Sequence, residues 1–167
     1  MFRTLARYLA LLALAIWVGA LVFFGAILAP TAFKLLASPN QAGLLIGTTL
    51  RQIHVLGLGC GVVAVIFLLI TGWGKLGKNA FAIALVLVMM GLTEASQYVV
   101  IPAMERDRAA VEDISALPPG NPERDAFDTL HQQSEWLEEG VLVCGLAALA
   151  FAFAAPRYVY DDGLPVE

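Results

Sequence analysis

The stretch that decides the fold is Tyr8–Ala29, YLALLALAIWVGALVFFGAILA, a run with no charged residue that follows Arg3 and Arg7 and ends at Pro30. A secretory leader has an apolar core of roughly 7–15 residues and then a small-residue cleavage site. This run is longer and closes on proline, so it predicts a retained transmembrane helix of about 20 or more residues.

Three similar runs lie downstream. His54–Trp73 reads HVLGLGCGVVAVIFLLITGW, Ala80–Ile101 reads AFAIALVLVMMGLTEASQYVVI, and Trp136–Ala155 reads WLEEGVLVCGLAALAFAFAA. Each is long enough for a hydrocarbon core about 30 Å thick. Unpaired backbone in lipid costs several kcal/mol, and four spans cannot close a barrel, so helix is the required form. The expectation is an all-α integral membrane protein of one domain. Four transmembrane helices, at about 8–29, 53–72, 80–101 and 136–155, form an antiparallel bundle. Pro30, Pro102 and Pro156 are expected at helix ends, where proline does least harm.

Composition agrees with a membrane protein. Of 167 residues, 59% are apolar and only 14% charged, against about 25% charged in a soluble domain. Ten of the fourteen acidic residues fall between Ala103 and Glu139. The net charge of -4 therefore describes one segment, and no basic face invites nucleic acid. That segment, about 103–135, is expected to be a long amphipathic helical loop between helices three and four. Its first half extends the third helix until LPPGNP breaks it. A helix then starts near Asn121, with Asn121 as cap, Pro122 in the first turn and Glu123 adding favourable charge. The segment Pro30–Gln52 is semi-apolar and suits short interfacial helices.

Both long loops fall on one face of the bilayer. Arg3, Arg7, Lys75, Lys78 and Arg157 lie on the termini side, and Lys34, Arg51, Arg106, Arg108 and Arg124 on the other. The count of basic residues is a tie; the compact clusters beside spans one and three place the termini in the cytoplasm. Trp136, Trp73, Tyr8, Tyr158 and Tyr160 fit interfacial belts. Cys60 and Cys144 read as small packing residues. Gly57-x-x-x-Gly61 lets a neighbouring helix approach closely, most simply one of the same chain.

Several polar side chains stand at or near membrane depth. Glu94 lies about 12 Å inward from Pro102, so it must face the bundle, carry a proton or meet a partner. Gln97, Tyr98 and Ile101 continue its face at helical spacing, with Met90 one turn below. His131, Ser134, Glu135 and Glu138 share one face by the i, i+3, i+4, i+7 rule. If that face turns inward, His54, Glu94, His131 and Glu138 converge, as in a metal or haem site or a proton-coupled cavity. Interhelical packing and capping are the plainer roles for the same residues.

Four pieces resemble one family in order. They are WVGALVFFGAILAPTAF (17–33), QAGLLIGTTLRQIHVLG (41–57), SQYVVIPAMERDR (96–108) and FDTLHQQSEWLE (127–138). Together they resemble the bacterial DUF4149 family, related to the transmembrane protein 205-like proteins. The resemblance implies the four-helix architecture and marks Pro30, His54, Pro102, His131 and Ser134. Glu138 stands where members commonly place asparagine. The family is uncharacterised and implies no reaction.

No nucleotide motif, catalytic constellation or large soluble volume is present. The leading expectation is thus a non-catalytic membrane protein, an accessory or structural subunit or scaffold whose acidic face meets a partner. It would sit in the cell inner membrane as a multi-pass protein, with the lipid bilayer, another membrane protein or a second copy as partner, and no cofactor. One alternative is a haem- or transition-metal-binding protein using His54 and His131. Another is a proton-linked small transporter centred on Glu94.

Overall fold

The computed structural model describes residues 2–72, 77–111 and 113–154. Among these, four long apolar helices dominate and no strand occurs: α1 Phe2–Leu35, α2 Pro39–Gly72, α3 Asn79–Ala110 and α4 Pro122–Ala154. Only 22–33% of each apolar stretch is buried inside the bundle. Leu12, Ile16, Val55, Val63, Leu87, Val143 and Phe153 are among the large apolar side chains left on the outside. Surface of that kind needs hydrocarbon around it, so the chain is a multi-pass helical membrane protein.

α1 and α3 run past the ends of their expected spans because Pro30 and Pro102 do not end them. Ahead of each proline the helix widens into one π turn, Phe24–Leu28 and Ser96–Val100. The N–H of Ala29 reaches back to the carbonyl of Phe24, and the N–H of Ile101 to that of Ser96. A proline ring inside an α-helix clashes with the carbonyl four residues back and leaves it without a donor. The extra residue in the wide turn relieves both problems, and the helix runs on. The Pro30–Gln52 segment is likewise helical almost throughout, bent only around Leu36–Ser38. Pro156 lies outside the described residues, as do Trp73, Lys75, Arg157, Tyr158 and Tyr160.

The start of α4 follows the sequence reading. Asn121 Oδ1 accepts from the backbone N–H of Glu123 at 2.8 Å and of Arg124 at 3.4 Å. Pro122 opens the helix, and Glu123 and Asp125 lie in its first turn. From there α4 runs about 21 Å before it reaches Trp136. The connection from α3 is correspondingly brief: a 3-10 turn at Ile114–Ala116 and a turn at Gly120, whose φ of 84° suits glycine.

In the bundle α1 packs on α2 and α4, and α3 packs on α2 and α4. Leu14, Trp17, Leu68, Val86, Met89 and Val141 fill the middle. Gly57 and Gly61 face inward within the same chain. A Cβ on Gly57 would lie 2.2 Å from Trp17 Nε1, and one on Gly61 3.0 Å from the same indole. Glycine is therefore what lets the indole lie flat against α2. Gly145 does the same for Val18 and Met89. At the tight-loop end Asn79 Nδ2 donates to Leu68 O at 3.2 Å and Thr71 Oγ1 at 3.0 Å. There too the Arg7 guanidinium donates to the carbonyls of Ala152, at 2.9 Å, and Phe153. Cys60 and Cys144 are free and pack against the core.

Candidate functional site: a buried histidine held by two helices

His54 is fully buried. It sits on α2 about 27 Å from Gly72, near the long-loop boundary of a 30 Å hydrocarbon core. Both ring nitrogens are engaged. Nδ1 lies 2.9 Å from Gln97 Oε1, and Nε2 lies 2.7 Å from Glu138 Oε1. One imidazole thus links α2 to α3 and α4.

Local folding explains how Gln97 reaches the ring. It stands in the wide turn Ser96–Val100, the device that carries α3 through Pro102. The turn brings Gln97 to His54, with Ser96 and Val100 buried beside it and Tyr98 left outside, 69% exposed. Thr93, one turn before Gln97, is also fully buried. The inward stripe of α3 is therefore Met89, Thr93, Ser96, Gln97 and Val100. The expected stripe of Glu94, Gln97, Tyr98 and Ile101 is corrected: Glu94 and Tyr98 are exposed.

Proton placement follows from hydrogen-bond capacity. With the Gln97 amide oriented so that its oxygen faces the ring, Nδ1 carries the donated hydrogen. The Nε2–Oε1 contact then needs a proton of its own. Either an imidazolium donates to a carboxylate, or a carboxylic acid donates to the neutral ring. Both states hold one proton between the two residues and leave the pair without net charge, the form a low-dielectric site tolerates best. Glu138 Oε2, Thr93 Oγ1, Ser96 Oγ and Trp17 Nε1 are buried without a hydrogen-bond partner. Buried groups of this kind are infrequent in folded proteins, and one of them is the second oxygen of Glu138 itself.

Above the pair, Arg51 and Glu105 make a second link between α2 and α3, at 2.8 Å and half exposed. Ser134, one turn before Glu138, is buried. His131 goes elsewhere. Its ring is 49% exposed, pairs with Glu135 at 3.3 Å on the same helix and stacks on Phe127. Of the four residues that would converge, the structure joins His54 and Glu138 and leaves Glu94 and His131 on outer faces. Among the described residues no group of three or more His, Cys, Asp or Glu side chains is placed to hold a metal ion.

The sequence reading singled out Gln97, yet it missed Trp17, Thr93 and Ser96. Two signals pointed to them: an indole in mid-span opposite a Gly-x-x-x-Gly pair, and hydroxyls one to four residues before Gln97.

Against known proteins, the family model for DUF4149, a domain of unknown function, matches residues 12–110. The chain belongs to the DUF4149 family. The matched region runs from α1 through α3 and so includes Trp17, His54 and Gln97, while Glu138 lies beyond it on α4. No curated protein and no solved structure matches.

Proposed function

We propose that this DUF4149 protein is a non-catalytic membrane subunit or scaffold, an antiparallel four-helix bundle whose shape is fixed by His54, Gln97 and Glu138. The observation that carries the reading is the engagement of both His54 nitrogens by protein groups. A histidine so held offers no lone pair to iron or another metal without breaking a buried hydrogen bond. His131 faces outward, so the pair of axial ligands a bis-histidine haem needs is not assembled. A carrier centred on Glu94 finds no support either, since that carboxyl lies on an outer face of the described bundle.

Neighbouring contacts support the antiparallel arrangement. Arg7 meets Ala152, and Val18 meets Gly145, so α1 and α4 run in opposite directions. The tight connection between α2 and α3 suits a hairpin. The exposed acids Glu123, Asp125, Asp128 and Glu135 on the extramembrane part of α4 give a partner a charged surface outside the bilayer. Cytoplasmic termini, an inner-membrane location and kinship with transmembrane protein 205 belong to this proposal as well; the last brings no reaction with it.

The test is native purification in mild detergent, followed by absorbance in the Soret region, metal analysis and identification of co-purifying proteins. The reading predicts a colourless, metal-free protein that stays colourless after incubation with haem. Stoichiometric haem or metal, retained through gel filtration and lost in His54→Ala, would overturn it.

A further inference from the structure

Glu94 is an exposed carboxyl on a helix that spans hydrocarbon. Counted from Asn79 at the tight-loop end it lies about 22 Å along α3, still inside a core about 30 Å thick. A side chain of this kind is expensive against lipid and is normally turned inward or given a partner. Its neighbours on the same outer face are Leu87, Gly91 and Tyr98, spaced at helical intervals; Leu87 is 54% and Tyr98 69% exposed. A Cβ on Gly91 would meet nothing within 4 Å. Glycine there weakens the helix and gains no packing within the chain. Among the described residues α3 packs mainly on α2 and α4, and this face is left exposed.

We infer that the Leu87–Gly91–Glu94–Tyr98 face of α3 is where a second copy of this chain docks in the bilayer. The inference rests on the scaffold reading and specifies its membrane contact. The face is complementary to itself. Gly91 permits close approach, Glu94 supplies an acceptor, and the Tyr98 hydroxyl, one turn on, supplies a donor. In a two-fold pair each Glu94 meets the Tyr98 of the other copy, so the contact is made twice. A foreign helix would have to bring its own donor to this depth. The second copy already carries one.

The experiment uses the full chain with Cys60→Ala and Cys144→Ala, reconstituted in vesicles of phosphatidylcholine and phosphatidylglycerol at high lipid-to-protein ratio. Gly91→Cys is expected to form a disulfide-linked dimer on mild oxidation. Val143→Cys, on the outer face of α4, is the control and stays monomeric. By single-molecule photobleaching, Glu94→Leu raises the dimer dissociation constant about tenfold or more, whereas Glu94→Gln, which keeps the hydrogen bonds, changes it little. Thermal melts of each variant separate loss of association from loss of folding. A monomer at all dilutions, equal cross-linking from Val143→Cys, or an unaffected Glu94→Leu dimer would each overturn the inference. A monomeric, inert and colourless chain would remove the dimer and leave the scaffold reading standing. A dimer that binds haem or carries protons would do the reverse.

Discussion

Replacing His54 by alanine should be among the most destabilising single changes available in this bundle. The side chain is fully buried, and its loss strands Gln97 Oε1 and Glu138 Oε1 at the same time. Leaving a buried polar group without its partner costs about 1–3 kcal/mol, and the upper end applies where the pair is ionic, for which removing one member costs about 3–5 kcal/mol. Interhelical hydrogen bonds within bilayers are weaker, averaging about 0.6 kcal/mol, because the unfolded chain in the membrane also finds partners. Taking the cavity and the two stranded acceptors together, about 3–4 kcal/mol is expected. For a chain of this size 1 kcal/mol moves the melting temperature by about 2–4 °C, so Tm should fall by about 6–16 °C. Intrinsic fluorescence melts in one detergent suffice, since Trp17 lies in the same interior. Glu138→Gln keeps an acceptor for a ring N–H and should fall by less than half as much. If His54→Ala melted within about 2 °C of the parent, the imidazole would not be holding the helices, and the reasoning would fail.

Other outcomes follow from the same geometry. Gly57→Ala pushes a Cβ into the Trp17 indole and should cost about 1–3 kcal/mol, while Gly59→Ala, which meets nothing within 4 Å, should be neutral or stabilising in the same melts. Asn121→Ala removes the side-chain acceptor at the start of α4 and should cost about 1 kcal/mol, visible as faster amide hydrogen exchange over the first turn. His131→Ala breaks an exposed pair and a loose stack on Phe127, so its effect on Tm should correspond to less than about 1 kcal/mol; a loss as large as that of His54→Ala would place His131 in the interior after all.

The four helices were legible because a bilayer demands long apolar runs, and those runs stand out in any window of the sequence. The Asn121–Pro122–Glu123 start was legible because capping depends on local residue types. The fate of Pro30 and Pro102 was not. A π turn is a change in hydrogen-bond register, and it leaves no apolar periodicity to read. The rotation of α3 about its own axis was not legible either. Spacing alone lets Gln97 share a face with Glu94 and Tyr98 or with Thr93 and Ser96; the packing of α3 on α2 and α4 turns Thr93, Ser96 and Gln97 inward and leaves Glu94 and Tyr98 out. The partner of His54 was half legible: Glu138 was expected near it, but so was His131. Glu138 and His131 share a helical face by spacing, but spacing does not say how far that face extends into the bundle. The bundle takes Ser134 and Glu138 and leaves His131, one turn earlier, outside. Trp17 and Gly57 were each visible as residues; only the packing of α1 on α2 makes them one feature.

The most direct test of the central claim, that the buried His54 ring ties α2 to its neighbouring helices, is a double-mutant cycle between His54 and Glu138. Stabilities of the parent, His54→Ala, Glu138→Ala and the double variant are measured by reversible unfolding in mixed micelles. A direct bond between the two side chains predicts a coupling energy of about 1–3 kcal/mol, with the double variant far less damaged than the sum of the singles. Single effects that add to within about 0.5 kcal/mol would mean that the two residues do not act on each other, and would contradict the account.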